Sequence, residues 1–355
     1  MHLLYYLTAH GYGHAVRACA IASRLSPDTH ITFRTTIPAS FFEEELHRPF
    51  SHAPGQFDLG CIQKDSVTVD IPKTLATYAS IADTNARKLS EEVSWCRAKG
   101  FDAIVSDITP FAFEVARGAG IRSVAITNFT WFDIYEPYAR NHPWFTPYLE
   151  SIVDQYGMAD LLLCLAPSDS LRCFPHQQRM PLVGRTGTDR SAEIRARLGI
   201  DSSRRLGLIY TSSYGMEATA WHRLNEFPEW SFAGLYPLGS GVQNYQVIDK
   251  NLFSYPDMTA SADLVISKIG YGVVSECLLN GVPLLYLPRD HFAEYPVLEA
   301  AVRRWGHGYC LDAEAFNALD WKQALEALSD RGRPSPRPSH GARECAAAIE
   351  DFVRA

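Results

Sequence analysis

Short apolar runs alternate with amphipathic or alanine-rich segments from one end of the chain to the other. Brief apolar runs suit strands covered on both faces, and the segments between them suit crossover helices, so the pattern predicts parallel sheets in an α/β fold. In the first half the predicted strands are Leu3 to Leu7, Ile31 to Arg34, Ala103 to Ser106, Ser123 to Ile126 and Leu161 to Leu165. The second half predicts Leu206 to Tyr210, Leu264 to Ser267 and Leu284 to Leu287. Ala18, Ile21, Ala22 and Leu25 fall at i, i+3, i+4 and i+7, one apolar helical stripe with Arg17 and Arg24 facing elsewhere. Pro110 starts a second helix, Phe111 to Arg117, that Gly118 and Gly120 should stop. A third runs from about Tyr271 to Gly281, and an alanine-rich one from about Ala342 to Val353.

The 355 residues suffice for two domains of ordinary size. The Arg-, Gly- and Ser-rich stretch PLVGRTGTDRSAEIRARLGIDSSRRLG separates the two strand series. The expected division is residues 1–201, 202–340 and a terminal helix, 341–355, packing back on the first domain. A net charge of -7 without a dense Lys/Arg run gives no footprint for nucleic acid. No apolar stretch reaches the roughly 20 residues of a transmembrane helix, and MHLLYYLTAHGYGH reads as a core strand rather than a signal peptide. The eight cysteines are scattered without metal-ligand spacing, so no metal site is expected and a reduced, cytoplasmic setting fits.

In open parallel sheets ligands bind beyond the carboxyl ends of strands, which directs attention to the residues there. After the first strand comes His10-Gly11-Tyr12-Gly13-His14, where missing Cβ atoms let a substrate approach a helix start. The turn lacks the third glycine of the dinucleotide fingerprint, which argues against hydride transfer. His14 is either a general base or a packed residue at the helix start. Asp107, after the Ala103 strand, either orients that imidazole or caps the next helix. Asn128 follows the Ser123 strand, and Thr211 and Ser212 follow the Leu206 strand. Lys268, Gly270 and Gly272 lie where a strand meets a helix, an arrangement suited to a diphosphate; Lys268 is otherwise a solvated lysine. Glu276, in the second turn of that helix, is either a ribose ligand or a surface glutamate. Asp290 and His291 follow the last strand.

These segments resemble the GT-B glycosyltransferases, the lineage of the bacterial lipid II N-acetylglucosaminyltransferase and the monogalactosyldiacylglycerol synthases. They are most similar to the glycosyltransferase-like half of plant L-arabinokinases: the matching segments are HGYGH, Ser106-Asp107, Asn128 to Tyr135, and Lys268 to Gly272 with Ser275-Glu276. No glycine-serine-rich ATP loop is present. The resemblance implies two Rossmann-like domains facing across a cleft, with His14 and Glu276 lining it. It implies His14 as base with Asp107 as partner, Glu276 on the ribose, and Gly270 and Ser275 on the phosphate side. Gly13, Thr211, Ser212, Lys268, Gly272, Asp290 and His291 complete the expected donor site, and His10, Asn128 and Trp131 the acceptor side.

The implied reaction is inverting transfer of a sugar from a nucleotide-diphosphate sugar, with UDP expected, to a small-molecule, glycan or lipid acceptor, with no cofactor. Lys268 stands where retaining relatives carry a second glutamate. Arg289, Asp290 and His291 stand where the family carries its sugar-reading glutamine, so the resemblance does not name the sugar. Two alternatives remain. Gly13-His14-Ala15-Val16-Arg17-Ala18-Cys19 is also similar to the GHxxRC turn of GT-B hydrolases, in which water replaces the acceptor. A noncatalytic sugar-nucleotide-binding protein is the other. The aromatic stretch from Phe129 to Tyr148 either packs in the core or stacks on an acceptor.

Overall fold

The computed structural model describes residues 1–64, 68–168, 171–210, 219–289 and 292–355. These form two compact units, one of residues 1–62, 69–184 and 339–355, the other of residues 63–68 and 185–338.

The first unit holds β1 (His2–Leu7), β2 (His30–Arg34), β3 (Ser51–Ala53), β4 (Ala103–Asp107), β5 (Arg122–Thr127), β6 (Leu161–Leu165) and β7 (Gln177–Met180). They form one sheet in the order β3-β2-β1-β4-β5-β6-β7, and every pairing is parallel. The order reverses between β1 and β4, the switch point at which open α/β sheets leave a crevice. Leu7 sits in register with Asp107 there, so the turn after β1 and the end of β4 meet at one edge.

The second unit repeats the plan with β8 (Arg205–Tyr210), β9 (Trp230–Gly234), β10 (Tyr245–Val247), β11 (Leu264–Lys268), β12 (Leu284–Leu287) and β13 (Gly308–Cys310). Its parallel order is β10-β9-β8-β11-β12-β13, with the reversal between β8 and β11. Its core gathers Phe232, Trp230, Ile266, Leu285 and Trp321 on one face of the sheet.

All eight strands expected from the apolar runs are present, extended by at most a residue at either end. The five others (β3, β7, β9, β10 and β13) escape such a reading for local reasons. Three of them, β3, β10 and β13, have only three residues each, and β7 is the polar edge segment QQRM. In β9 the apolar run is broken by Ser231 and Gly234.

The largest unexpected element is a 29-residue helix, Ile71–Lys99. Asp70 caps its start by accepting from the Lys73 amide, and Gly100 ends it at φ 65. It packs on the helix Phe111–Ala119, which runs through Gly118 instead of stopping there. A Cβ at Gly118 would fall 2.8 Å from the Val93 side chain, so this glycine serves close helix approach. Glu92 anchors the long helix to the sheet. It accepts from the Tyr6 hydroxyl at 2.6 Å and from Arg34 Nε and Nη2 at 2.9 and 2.8 Å. The guanidinium also lies over the rings of Phe57 and Trp95.

The helix Gly341–Arg354 belongs to the first unit and packs on the helix Tyr12–Ala22. Glu350 accepts from the Ser26 amide at 2.6 Å, and Arg122 donates to the Phe352 carbonyl. No described helix is long and apolar enough to cross a membrane.

Glu92→Ala leaves Arg34 and the Tyr6 hydroxyl facing a gap in a largely buried site. The expected outcome is a loss of roughly 3 kcal/mol, read as a lowered melting transition; Tm within a degree of the native chain would show that the triad does not anchor the helix.

Candidate active site

At the switch point of the first sheet, Gly11 holds φ 88 and ends the turn, and the helix Tyr12–Ala22 starts without a side-chain cap. Its first inward residues are His14 and, one turn on, Arg17, which is only 3% exposed. The helix therefore presents Arg17 inward, contrary to the outward face expected from the apolar stripe. The reason is Asp107, wholly buried at the end of β4. Arg17 grips that carboxylate with Nε and Nη2, each at 2.6 Å, and His14 Nδ1 meets Oδ1 at 2.9 Å. Arg17 Nη1 donates to Asn128 Oδ1 at 2.6 Å, tying in the turn after β5. Burial by itself would raise the Asp107 carboxyl, but Arg17 and then His14 outweigh it and hold the group below its ordinary value. Asp107 caps no helix; the backbone turns sharply just after it at Ile108, a β-branched residue at φ 75. Such a conformation costs about 1 to 3 kcal/mol and clusters at functional sites.

Nδ1 stands 2.9 Å from Asp107 Oδ1 and 3.1 Å from Arg17 Nη2: protonated, it donates to the carboxylate; unprotonated, it accepts from the guanidinium. The first arrangement is the one a base acting through its other nitrogen needs. Nε2 is then the acceptor, on a side chain 10% exposed. A histidine oriented by a buried carboxylate is what this cluster provides.

A second buried carboxylate, Asp58, lies beside it. Burial lifts its carboxyl above the ordinary value, against hydrogen bonds from Trp131 Nε1 at 3.0 Å and Thr109 Oγ1 at 2.9 Å that pull it down. Trp131 is therefore in the core and wholly buried, which removes it as a stacking surface; Tyr135 and Phe145 are buried with it, whereas Trp144 is 50% exposed. His10 is half-buried over Gly60, where a Cβ would collide with its ring, and its ring meets Trp131 edge-on at 5.4 Å. A Cβ at Gly13 would meet nothing within 4 Å, so the space beside that backbone is open.

In the second unit, Lys268 ends β11 at the switch point and the helix Tyr271–Asn280 follows, with Gly270 before it and no side-chain cap. Burial, and then repulsion from Arg289, bring the Lys268 ammonium down to about 8. Among the described residues no carboxylate pairs with Lys268. A half-buried cation two residues before an uncapped helix start makes surroundings that favour an anion. A Cβ at Gly270 would also meet open space.

Ser275 is buried, and its hydroxyl donates to the Gly272 carbonyl at 2.9 Å, inside the helix. Glu276 is 2% exposed, and its Oε1 accepts from Arg185 Nε at 2.7 Å. One turn on, Asn280 bonds the Gly187 amide and the Arg185 carbonyl, so both side chains hold the segment from Arg185 to Gly187 against the helix. Thr211, Ser212, Asp290 and His291 lie outside the described residues. Among the described residues no group of three or more His, Cys, Asp or Glu is placed to hold a metal.

The sequence does not single out Asp58 or Arg185; Arg17 figures there on the outward face of its helix and within the GHxxRC-like stretch, and Arg289 beside Asp290 and His291, neither as a site residue. Only Arg17 carried a signal: i, i+3 spacing from His14 puts both on one helix face.

Two doubly wound sheets of this order define the GT-B glycosyltransferase fold, and solved structures bear this out. The glycosyltransferase of kitacinnamycin aligns with a TM-score of 0.63 at 14% identity over 99% of this chain and 94% of that one. A UDP-glucosyltransferase from Polygonum tinctorium capable of glucosylating indoxyl gives 0.65 at 15% identity, covering 99% and 93%. Phytolacca americana UGT2, complexed with UDP-2fluoro-glucose and pterostilbene, gives 0.66 at 14% identity, covering 100% of both chains. In sequence the chain is similar to the L-arabinokinase of Arabidopsis thaliana, 31% identical over an alignment of 314 residues that covers 83% of this chain and 29% of that protein. The chain thus spans under a third of the length of that relative. No protein-family model matches.

The depressed Lys268 gives a stability prediction. Its folded value, about 8, lies below the unfolded 10.5, so below pH 8 the fold carries a charge it disfavours. Lys268→Met should raise Tm at pH 7 by roughly 2 to 4 °C, and the gain should shrink between pH 8 and 10.5, where the native lysine sheds its proton on folding. Unchanged or lowered Tm at pH 7 would refute a strained cation there.

Proposed function

We propose that the chain is an inverting glycosyltransferase that moves a sugar from a nucleotide-diphosphate sugar, UDP being the nucleotide, to an acceptor hydroxyl in the cytoplasm. The carrying observation is the His14–Asp107 pair at the switch point of the first sheet, with Nε2 free to accept a proton. In this reading the first unit supplies the base and handles the acceptor, a small molecule, glycan or lipid. The second binds the donor through Lys268, Arg289, Gly270, Gly272 and the helix start, with Glu276 on the ribose and Thr211, Ser212, Asp290 and His291 contributing.

The acceptor hydroxyl gives its proton to Nε2 as its oxygen forms a bond to the anomeric carbon. The bond from that carbon to the diphosphate breaks, and its electron pair leaves with the nucleotide. The departing charge falls to the cations and the helix dipole, preorganised for it. The complex of Phytolacca americana UGT2 with UDP-2fluoro-glucose, on the same fold, supports the choice of donor class.

A hydrolase is the second reading, favoured by one observation: the arginine of the GHxxRC-like stretch, Arg17, sits inside the cluster. Water would then take the place of the acceptor.

A thermal-shift screen of nucleotides and their sugars identifies the donor, because a ligand of the folded state raises Tm. With that donor, His14→Ala should lower turnover by about two to four orders of magnitude while leaving donor affinity nearly intact, and Asp107→Asn should lower it less. Near-native turnover in the His14 variant would remove the base. Sugar release from donor alone, at the rate seen with acceptor, would select the hydrolase. Glu276→Ala should weaken UDP by roughly 1 to 3 kcal/mol; unchanged affinity would remove Glu276 from the donor site.

A further inference from the structure

In a simple His–Asp pair the carboxylate both orients the imidazole and stabilises the imidazolium formed when a proton arrives. Here the carboxylate is not available for both tasks. Both Asp107 oxygens are taken by one buried guanidinium at 2.6 Å, and Arg17 Nη2 comes within 3.1 Å of His14 Nδ1. The positive charge of Arg17 therefore offsets the negative charge that His14 would otherwise face. It lies at nearly the same distance from the imidazole as the carboxylate does.

We propose that Arg17 is a positioning residue for the His14 base: it clamps Asp107 in the one orientation that receives Nδ1–H, and its charge opposes protonation of the resting imidazole. The proposal rests on the reading of His14 as base. Arg17 is itself held on the far side by Asn128, so the clamp spans the first helix, β4 and the turn after β5. The charged groups facing His14 are Asp107 from β4, Arg17 from its own helix, and Asp58 from the segment before the long helix. The Phe129 ring packs edge-on to the imidazole at 5.8 Å and adds no charge. On the other side of Arg17 stands Cys345, from the helix Gly341–Arg354, a buried thiol raised to about 12 and so neutral. The guanidinium works against proton uptake by the imidazole while the two carboxylates work for it, so removing the charge of Arg17 alone tips the balance toward uptake.

The test follows His14 directly by nitrogen NMR of ¹⁵N-histidine-labelled protein without substrate, with His14→Gln assigning the resonance. Arg17→Gln removes the charge and keeps a polar side chain; Arg17→Lys keeps the charge and loses the fork. In Arg17→Gln the His14 imidazole should titrate at higher pH than in the native chain, whereas in Arg17→Lys it should stay near native. With donor and acceptor, Arg17→Gln should shift the acid limb of kcat/KM the same way. Both variants should lose about ten- to a hundredfold in plateau kcat, with the KM for donor unchanged. A role confined to packing would lower Tm and leave titration and acid limb in place, which would overturn the proposal. Should Arg17→Gln not fold, Arg17→Lys decides: native plateau kcat in that variant overturns the clamp. The NMR arm needs no turnover, so a chain that transfers no sugar still answers it. A transferase whose His14 titration ignores Arg17 overturns this inference alone.

Discussion

A carboxylate with no solvent contact is costly to bury unless its oxygens are fully engaged by donors, and Asp107 meets that condition with Arg17 and His14. Much of the edge of the first sheet follows from it. Arg17 must lie inward, which sets the rotation of the helix Tyr12–Ala22 about its axis and brings His14, three residues earlier, to the same carboxylate. The guanidinium has a third direction to satisfy and takes Asn128. The strained turn at Ile108 is secured from outside, where the Tyr156 hydroxyl donates to its carbonyl at 2.7 Å. Strain of this kind persists only where surrounding structure over-determines it.

The second unit poses a different electrostatic problem. Lys268 and Arg289 repel one another, and the helix after Gly270 adds its positive end without a side-chain cap. Positive charge gathered in this way is the physical basis of the donor reading proposed for this unit. Glu276 shows the opposite economy. Its Oε1 bonds Arg185, and Asn280 one turn later grips the same segment, so this face of the helix has structural work independent of any nucleotide.

How far the sequence discloses such a molecule depends on what each residue answers to. Strands buried on both faces are apolar because of their surroundings, and β6 and β12 are readable to the residue. The polar edge strand β7 and the long helix Ile71–Lys99 answer to little beyond their own neighbours and show no comparable run. At the site, His14 and Asp107 stand out because they follow strands. Arg17 hides because an arginine on an otherwise apolar helix is assumed to face water, and only the partner carboxylate, ninety residues away in sequence, brings it inside.

The aromatic stretch after β5 carries the last consequence. Proton removal by His14 is the same chemistry for water and for an alcohol, so the base cluster alone does not separate a hydrolase from a transferase. Discrimination must come from surface able to hold an acceptor while water is kept out. Trp131, Tyr135, Tyr138 and Phe145 supply none of it, being buried around Asp58 and its neighbours. What they do supply is rigidity: the Trp131 indole ties Asp58 to the start of its helix, and its ring edge meets His10. Among the described residues of the first unit, the most exposed aromatic side chains are Tyr12, stacked on Phe41, and Trp144. In the proposed transferase the ground for an acceptor is therefore the open space beside Gly13 and near His10 rather than the wholly buried tryptophan that the sequence makes most conspicuous.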